Sequence, residues 1–445
     1  MKKLCSLFLF FGSIMSAFAQ DVGPALDSLI RAYTKINKFN GTVLVARHGK
    51  ILLRKGYGYQ NVAEKIRNTE KSVFQIGSVT KQFTSAVILK LQEEKKLDVS
   101  DKVSKYFPDY PKGDSISIHQ LLTHTSGIYN YTGNGEFMRT EITKPQSREK
   151  MMSLFKDKPF DFTPGSRWSY SNSGYSLLGY IIEVVTGKSY EAAVYKYIFE
   201  PAKMSNSGFD FSYLKSPYKT SGYFTLNLAD TVLAPITDST IAFSAGAIYS
   251  TTGDMYKWHN SLQNNTILSK MQQETAYTPV KNGYGYGWFI DSVEGKRRVG
   301  HSGGIPGYIS MESRVPEEDI FILLLSNASD KSLKDIMKSI YAILYKKEYE
   351  MPKQRKAITM PDAVLQQYKG EYEINAGFTI VITVKGAGLG VQPTGDVQKI
   401  MLPEKEDSFF EDQDEIKMVF TRNDKKEVTG LVLHQNGRQT ICKKR

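Results

Sequence analysis

The chain has 445 residues, 41% of them hydrophobic and 23% charged, so it can bury a large core and is expected to form more than one domain. Its formal net charge is +12, but the basic residues are scattered and no nucleic-acid-reading motif is visible, so no nucleic-acid partner is expected. The two cysteines, Cys5 and Cys442, provide no disulfide framework and no signature of thiol catalysis.

The first 19 residues have the pattern of a secretory signal peptide. Lys2 and Lys3 precede an apolar run from Leu4 to Phe11, and Ala17-Phe18-Ala19 offers a cleavage site. An uncleaved anchor helix is the alternative, but the apolar run is short for crossing a bilayer. We therefore expect a periplasmic or secreted protein with no stable membrane span after cleavage, in which Cys442 is the remaining cysteine.

Hydrophobic periodicity predicts the elements that follow. A helix at 21–37 precedes two strands, 41–47 and 51–54, joined by a turn at His48-Gly49-Lys50. An amphipathic helix is predicted at 81–96, with Phe83, Val87 and Leu91 on its apolar face. The later elements are helices at 175–186 and 254–262, strands at 286–290, 297–300, 308–315 and 321–325, and a helix at 333–345.

Strands at both ends of this region, with helical segments between them, predict one discontinuous sheet. Short turns between successive strands make it mainly antiparallel, flanked by helices and accompanied by a helical subdomain, a mixed α/β (α+β) fold. The polar segment 347–361 is typical of a linker, and 362–445 has the alternating runs of a small all-β domain. The predicted organisation is a signal peptide at 1–19, an α/β domain at 20–346, the linker and the all-β domain.

Three short motifs carry candidate chemistry. In the first, Ser78-Val79-Thr80-Lys81, a loop passes into a helix, and residues three apart share a helix face. Lys81 can therefore approach the Ser78 hydroxyl and activate it as a base, if burial lowers the pKa of its amine. An N-cap serine followed by a solvated lysine is the simpler interpretation of this motif alone.

The second motif is Tyr170-Ser171-Asn172. Spacing of two in an extended segment sends the tyrosine and asparagine side chains to one side. Tyr170 can act as a base and return the proton to a leaving group, while Asn172 can bind a substrate amide or orient Lys81. A packing tyrosine and a turn asparagine are the simpler alternative.

The third motif, His301-Ser302-Gly303-Gly304, follows the strand predicted at 297–300. Its glycines leave room for a substrate against the strand, and the Gly304 N–H can complete an oxyanion hole with the Ser78 N–H. His301 can polarise the tyrosine or meet a substrate carboxylate. Residues 300–304 also match the Gly-x-Ser-x-Gly nucleophile elbow, but that motif requires a helix afterwards, and a turn into a strand is predicted here.

In this order, the three motifs resemble the serine β-lactamase and penicillin-binding-protein superfamily. The likeness is greatest to the branch of class C β-lactamases, D-Ala-D-Ala carboxypeptidases, D-aminopeptidases and esterases. The C-terminal domain resembles the small lipocalin-like β-barrel often appended to such proteins. The segments that carry the first resemblance are Gln75–Gln82, Leu121–Gly127, Trp168–Tyr175, Ser244–Ser250 and Tyr284–Trp288.

The resemblance implies acyl transfer through an acyl-enzyme on Ser78, with Lys81 and Tyr170 sharing the role of base. It implies substrate contacts from Asn172 and from residues 301–304, and an oxyanion hole of the Ser78 and Gly304 N–H groups. Lactamases and carboxypeptidases of the superfamily usually have Lys-Thr-Gly where this chain has His301-Ser302-Gly303. The departure resembles peptidase and esterase members and puts efficient β-lactam hydrolysis in doubt.

The sequence thus predicts a serine hydrolase acting on a peptide, a D-amino-acid amide or an ester. One alternative is a penicillin-binding or weak β-lactamase protein that acylates with little turnover; another is a non-enzymatic wall-binding protein. Expected partners are small peptide, ester or β-lactam-like substrates and cell-wall fragments. No cofactor is expected, and no metal, because His119 and His124 are five residues apart and face differently on any helix.

Overall fold

The structure is a computed structural model that describes residues 22–227, 230–329, 332–411, 416–435 and 438–445. The signal peptide predicted at 1–19 and Cys5 lie outside the described residues. Among the helices in the described ranges, none is long and apolar enough to cross a membrane. Two compact units are distinguished: the first contains residues 22–27, 40–222 and 234–327, and the second contains the described residues of 28–39, 223–233 and 328–445.

Helices and strands are numbered in chain order. The α-helices are α1 Val22–Lys35, α2 Thr80–Glu93, α3 Ile118–Leu122, α4 Gly135–Thr140, α5 Arg148–Ser153, α6 Asn172–Thr186, α7 Tyr190–Val194, α8 Ser239–Gly246, α9 Thr252–Gln263, α10 Lys270–Ala276, α11 Leu333–Leu344 and α12 Asp362–Leu365. The strands are β1 Gly41–Arg47, β2 Lys50–Tyr57, β3 Tyr59–Asn61, β4 Ile66–Arg67, β5 Phe74–Gln75, β6 Tyr223–Leu226, β7 Thr231–Leu233, β8 Tyr249–Ser250, β9 Phe289–Val293, β10 Lys296–Ile305, β11 Tyr308–Val315, β12 Ile320–Ser326, β13 Gly370–Asn375, β14 Phe378–Lys385, β15 Gly388–Pro393, β16 Lys399–Lys405, β17 Ser408–Glu411, β18 Ile416–Arg422, β19 Val428–Gln435 and β20 Arg438–Lys444.

A six-stranded sheet organises the first unit, in the order β2-β1-β12-β11-β10-β9. Every pair in it is antiparallel, and β1, from the start of the chain, lies beside β12, with Val43 opposite Leu324. The predicted discontinuous antiparallel sheet flanked by helices is confirmed. Helices α2 to α10 lie in the long insertion between β2 and β9. Residues 223–233 of this insertion belong to the second unit.

Helix α2 lies in the core of the first unit. The sequence predicts an amphipathic helix, but polar residues such as Thr84 and Ser85 are buried along with Phe83, Val87 and Leu91. The polar side chains have buried partners; the Thr84 hydroxyl, for example, donates to the carbonyl oxygen of Ser244 at 2.6 Å. Because α2 is buried on nearly every side, its first turn, which includes Lys81, is held in a fixed position.

Four strands of the sheet differ from the predicted bounds: β2 and β12 extend beyond them at both ends, and β9 and β10 differ in ways that shape the site. Strand β9 begins at Phe289 rather than at 286, because residues 284–288 form a loop against α2. Gly287 has a φ of +87°, and a methyl group there would lie 2.8 Å from the carbonyl oxygen of Lys81. Strand β10 continues to Ile305 instead of ending at 300, so residues 301–304 lie within the strand and not after it.

The C-terminal part of the second unit is a closed barrel of eight antiparallel strands, β13 to β20, which confirms the predicted small all-β barrel. Its interior is filled by side chains, as is usual for barrels of this size. Cys442 lies in this interior and is buried. The fully buried members of this core include Tyr368, Tyr372, Leu389, Phe409, Met418 and Leu431.

Candidate active site

Ser78 lies in a 3-10 turn, Gly77–Val79, that leads directly into α2. Gly77 has a φ of +52°, and a methyl group on it would lie 2.8 Å from the backbone nitrogen of Gly304. Glycine is therefore required at residue 77 by both backbone conformation and space. The turn places Ser78 beside β10 and at the amino end of α2, where the helix dipole provides positive potential.

Lys81 lies one turn further on, and its side chain is fully buried. Its Nζ is 3.1 Å from Ser78 Oγ, 2.8 Å from Asn172 Oδ1 and 2.7 Å from the carbonyl oxygen of Ala245. Burial holds the pKa of this amine well below its usual range, which favours the neutral form. A neutral amine has two hydrogens and one lone pair. Asn172 Oδ1 and the Ala245 carbonyl oxygen can only accept, so they receive the two amine hydrogens. The lone pair of Lys81 Nζ is then left to accept from the Ser78 hydroxyl.

The Ala245 carbonyl has no partner within helix α8 because Ala245 lies in the last turn of that helix, which is also kinked. Phe243, inside α8, has φ 38° and ψ −135°, which no regular helix contains. Four residues beyond Ala245, the N–H of Tyr249 donates to Gly208 and not back along the helix. Stacking of the Phe243 ring on Tyr180, with centroids 4.9 Å apart, holds the kink in place.

Asn172 is the first residue of α6 rather than part of an extended segment. Its amide is fixed at both ends, because Oδ1 accepts from Lys81 and Nδ2 donates to Thr132 Oγ1 at 3.2 Å. Lys81 Nζ lies 4.8 Å from the centre of the Tyr170 ring. Burial raises the pKa of the Tyr170 phenol well above its usual range, and the nearby Ser78 hydroxyl acts in the opposite direction. The phenol is therefore neutral at ordinary pH.

His301 is buried, and the centre of its ring lies 6.2 Å from that of Tyr170. Its Nδ1 is 2.6 Å from the carbonyl oxygen of Ser302, so Nδ1 carries the hydrogen, and the bare Nε2 accepts from the Tyr284 hydroxyl at 3.1 Å. Burial, and then the positive charge that Lys81 carries when it is protonated, lowers the pKa of His301 to about 3. The sequence predicts that His301 polarises Tyr170 or meets a substrate carboxylate. In the structure both nitrogens of the neutral imidazole are instead hydrogen-bonded, to Ser302 and Tyr284.

The tip of β10, residues 301–305, has a strand on one side only. Strand β9 pairs with β10 as far as Gly300, whereas β11 pairs with it as far as Ile305. Along the tip, His301 and Gly303 are buried, while Ser302 and Gly304 are exposed. The free edge can accept an extended substrate beside Ser78.

The two glycines of the tip, Gly303 and Gly304, are under different steric constraints. A methyl group on Gly303 would lie 2.0 Å from the carbonyl oxygen of Ile76, so packing forbids it. A methyl group on Gly304 would meet no protein atom within 4 Å. Ser302 lies mid-strand, and Gly307 turns the chain into β11, so the strand-turn-helix geometry of a nucleophile elbow is absent from residues 296–315.

Comparisons with known proteins agree with this geometry. The family model Beta-lactamase matches residues 26–344, and the model Domain of unknown function (DUF3471) matches residues 354–441. Putative penicillin-binding protein PbpX of Bacillus subtilis is 33% identical over 318 residues, covering 71% of this chain and 78% of that protein. The chain belongs to the beta-lactamase family. It is a serine hydrolase of that family, and its fold is the beta-lactamase-like fold.

Two further relatives extend over nearly the whole of this beta-lactamase-family chain. Penicillin-binding protein 4* of Bacillus subtilis is 29% identical over 441 residues, covering 93% of this chain and 96% of that protein. The solved structure of the octameric penicillin-binding protein homologue from Pyrococcus abyssi is 26% identical, with a TM-score of 0.66, covering 95% of this chain and 100% of that one.

A cavity of about 100 Å³ opens beside Ser78 in this hydrolase. Its wall has no charged side chain among the described residues. The lining residues are Gly77, Ser78, Tyr131, Thr132, Met138, Ile142, Asn172, Thr237, Ile241, Ala242, Ala245, Gly246, Gly304, Ile305 and Pro306.

Several residues that build the site were not singled out by sequence reasoning. Ala245, Thr132, Tyr284 and His124 had no assigned role, although three of them lie in segments that carry the family resemblance. In the described parts of the chain, no three histidine, cysteine, aspartate or glutamate side chains are grouped to hold a metal ion. His119 Nδ1 instead lies 2.6 Å from the Tyr286 hydroxyl.

Proposed function

We propose that the protein is an exported hydrolase that forms an acyl-enzyme on Ser78, with Lys81 as the general base. The observation that carries the proposal is the set of three contacts around Lys81 Nζ. Asn172 Oδ1 and the Ala245 carbonyl orient the two amine hydrogens away from the serine, which leaves the lone pair 3.1 Å from Ser78 Oγ. This distance lies within the reach of a general base.

Tyr170 is proposed as the group that returns the proton to the leaving group. The raised pKa of its phenol supports a donor and not a standing base, which narrows the shared base role expected from the sequence. The phenol lies beside the Ser78 hydroxyl and close to Lys81, so as it gives its own proton to the leaving group it can take up the proton that Lys81 removed from Ser78. An amine leaving group needs this proton, because an amide anion is too basic to depart.

The oxyanion is proposed to bind between the N–H groups of Ser78 and Gly304. The close approach of Gly77 to Gly304 supports this, because it brings the turn before α2 against the tip of β10. Backbone donors held by a buried helix and a sheet need no reorganisation when negative charge develops on the carbonyl oxygen.

The proposed substrates are peptides, D-amino-acid amides or esters that carry no carboxylate next to the reacting carbonyl. The uncharged cavity and the neutral, occupied His301 support this class, because neither offers a cation to a carboxylate. β-Lactam antibiotics carry such a carboxylate, so slow acylation with little turnover is expected for them. Export rests on the signal-peptide pattern of residues 1–19.

The test is intact-protein mass spectrometry after incubation with a fluorophosphonate and, separately, with a penicillin. We expect a mass gain with the fluorophosphonate in the wild type and in Ser78→Ala no gain. Ser302→Ala should show the same mass gain as the wild type. If residues 300–304 were a nucleophile elbow with Ser302 as the nucleophile, this variant would lose the mass gain. Labelling that persists in Ser78→Ala would overturn the proposal. A penicillin adduct that forms as fast as the phosphonate adduct would overturn the carboxylate-free substrate class.

A further inference from the structure

We propose that His124 is a positioning residue for Tyr170, and this inference rests on the acyl-transfer role proposed above. His124 lies in the loop after α3, is 1% exposed and has a φ of 57°. A histidine in the left-handed region is uncommon and costs free energy unless its surroundings fix it. The side chain does not touch Ser78 or Lys81 through any hydrogen bond in the described structure, so it is not itself a catalytic residue.

His124 holds the backbone on both sides of Tyr170. Its carbonyl oxygen accepts from the Ser169 N–H at 3.0 Å, and its Nδ1 accepts from the Ser171 N–H at 3.1 Å. In an extended segment, alternate N–H groups point the same way, as they do toward a neighbouring strand. The imidazole thus takes the place of the next carbonyl in a strand ladder, at the point where the chain turns into α6.

The same side chain also supports the Tyr170 ring. The centroids of the two rings are 4.2 Å apart with planes at 39°, and the Tyr284 ring packs on the His124 imidazole at 4.7 Å. Because Nδ1 accepts a hydrogen bond, Nε2 carries the imidazole hydrogen, and that buried Nε2 has no hydrogen-bond partner in the described structure. The imidazole therefore contributes its Nδ1 acceptor and its packing face to the segment around Tyr170, while its Nε2 donor is left unsatisfied.

This geometry predicts a selective defect. Tyr170 is needed when the leaving group must be protonated, as for an amine, and is hardly needed for a good leaving group such as p-nitrophenolate. Misplacing Tyr170 should therefore impair amide hydrolysis and spare ester hydrolysis. Removing a general acid typically costs ~10²–10⁴-fold in rate.

The experiment compares the p-nitroanilide and the p-nitrophenyl ester of one D-amino acid, with the full chain as expressed. His124→Gly keeps the left-handed backbone and removes the side chain; we expect kcat for the anilide to fall about 100-fold, with KM and ester turnover changed less than about 5-fold. His124→Asn also tolerates this backbone and places an amide oxygen where Nδ1 lies, so it should stay within about 10-fold of wild type on both substrates.

Tyr170→Phe should show the same split between substrates, and the double variant with His124→Gly should be no slower than Tyr170→Phe alone. Parallel losses on both substrates, additive losses in the double variant, or His124→Asn as poor as His124→Gly would each overturn the positioning role. If His124→Gly does not fold, His124→Asn still decides, because an amide-to-ester ratio like that of Tyr170→Phe overturns it. Failure of wild-type Ser78 to react with fluorophosphonate would instead sink the proposed function.

Discussion

The six-stranded sheet and the eight-stranded barrel use antiparallel strands in opposite ways. In the barrel every strand is paired on both sides, and the interior is filled by apolar and aromatic side chains. In the sheet, the tip of β10 lacks one neighbour, and the region beside it buries the ionisable groups Lys81, His124 and His301. Burying such groups costs folding free energy, whereas burying apolar groups provides it. We therefore expect changes near the tip to affect turnover more than folding, and changes in the barrel to do the reverse.

The sharpest form of this contrast is Lys81→Met. Without its base, turnover should fall about 10³-fold or more. The melting temperature should change little, because relief from burying an amine offsets the loss of its hydrogen bonds to Asn172 and Ala245. Kinetics with an ester substrate and a thermal melt measure both quantities. Lys90→Met on the same helix, a partly exposed lysine paired with Glu93, is the control and should keep full activity. A Lys81→Met variant that kept full activity would contradict the expectation that changes near the tip of β10 mainly affect turnover.

The converse experiment is Leu431→Ala in the barrel. Leu431 is fully buried, and truncating such a leucine costs about 2–5 kcal/mol of unfolding free energy. Urea denaturation should report this loss while kcat stays unchanged. The neighbouring strand supplies a control in Ile441→Ala, because Ile441 is 73% exposed and its truncation should cost less than about 0.5 kcal/mol. Equal costs at the two positions would contradict the filled interior.

A finer contrast lies between two adjacent glycines. Gly304→Ala should fold as the wild type does, because the added methyl group meets no protein atom, yet kcat/KM should fall by about 10–100-fold as the methyl group enters the substrate path. Gly303→Ala should lower the melting temperature, since its methyl group would collide with the carbonyl oxygen of Ile76. Melting curves and kinetics on both variants separate the two glycines; an active Gly304→Ala would place the substrate elsewhere.

The smallest expected effect is on pH-dependent stability. Burial and then Lys81 lower the pKa of His301 to about 3, so the unfolded chain binds the proton more readily between that value and the ordinary 6.5. Stability from this group is therefore present above pH ~6.5 and is lost as the pH falls, by about 1 kcal/mol between pH ~7 and ~5.5. Urea midpoints at the two pH values measure it. His301→Gln should reduce the slope by about this amount, while His124 and His259, whose pKa values burial also lowers, maintain the rest; an unchanged slope in His301→Gln would exclude this source.

The sequence was sufficient for the fold class and for bringing Ser78, Lys81, Tyr170 and Asn172 together. Spacing of three on a helix and the order of the motifs are local signals, and the sheet follows from strand patterns at both ends. The role of the Ala245 carbonyl was beyond sequence reasoning, because it depends on where a short helix, kinked at Phe243, ends in space, and nothing in the residue type predicts a phenylalanine with a positive φ. The same holds for His124, since the long-range contact to Ser171 decides its role.

The tip of β10 has a consequence for aggregation. An unpaired strand edge can recruit a strand from another molecule as readily as it accepts a substrate. Only five residues of this edge are open, two of them are glycines that weaken strand formation, and Pro306 follows immediately. The same small residues that admit a substrate thus keep the tip a poor template for a neighbouring chain, so bulky β-branched residues at 302 or 304 would be expected to cost solubility as well as turnover.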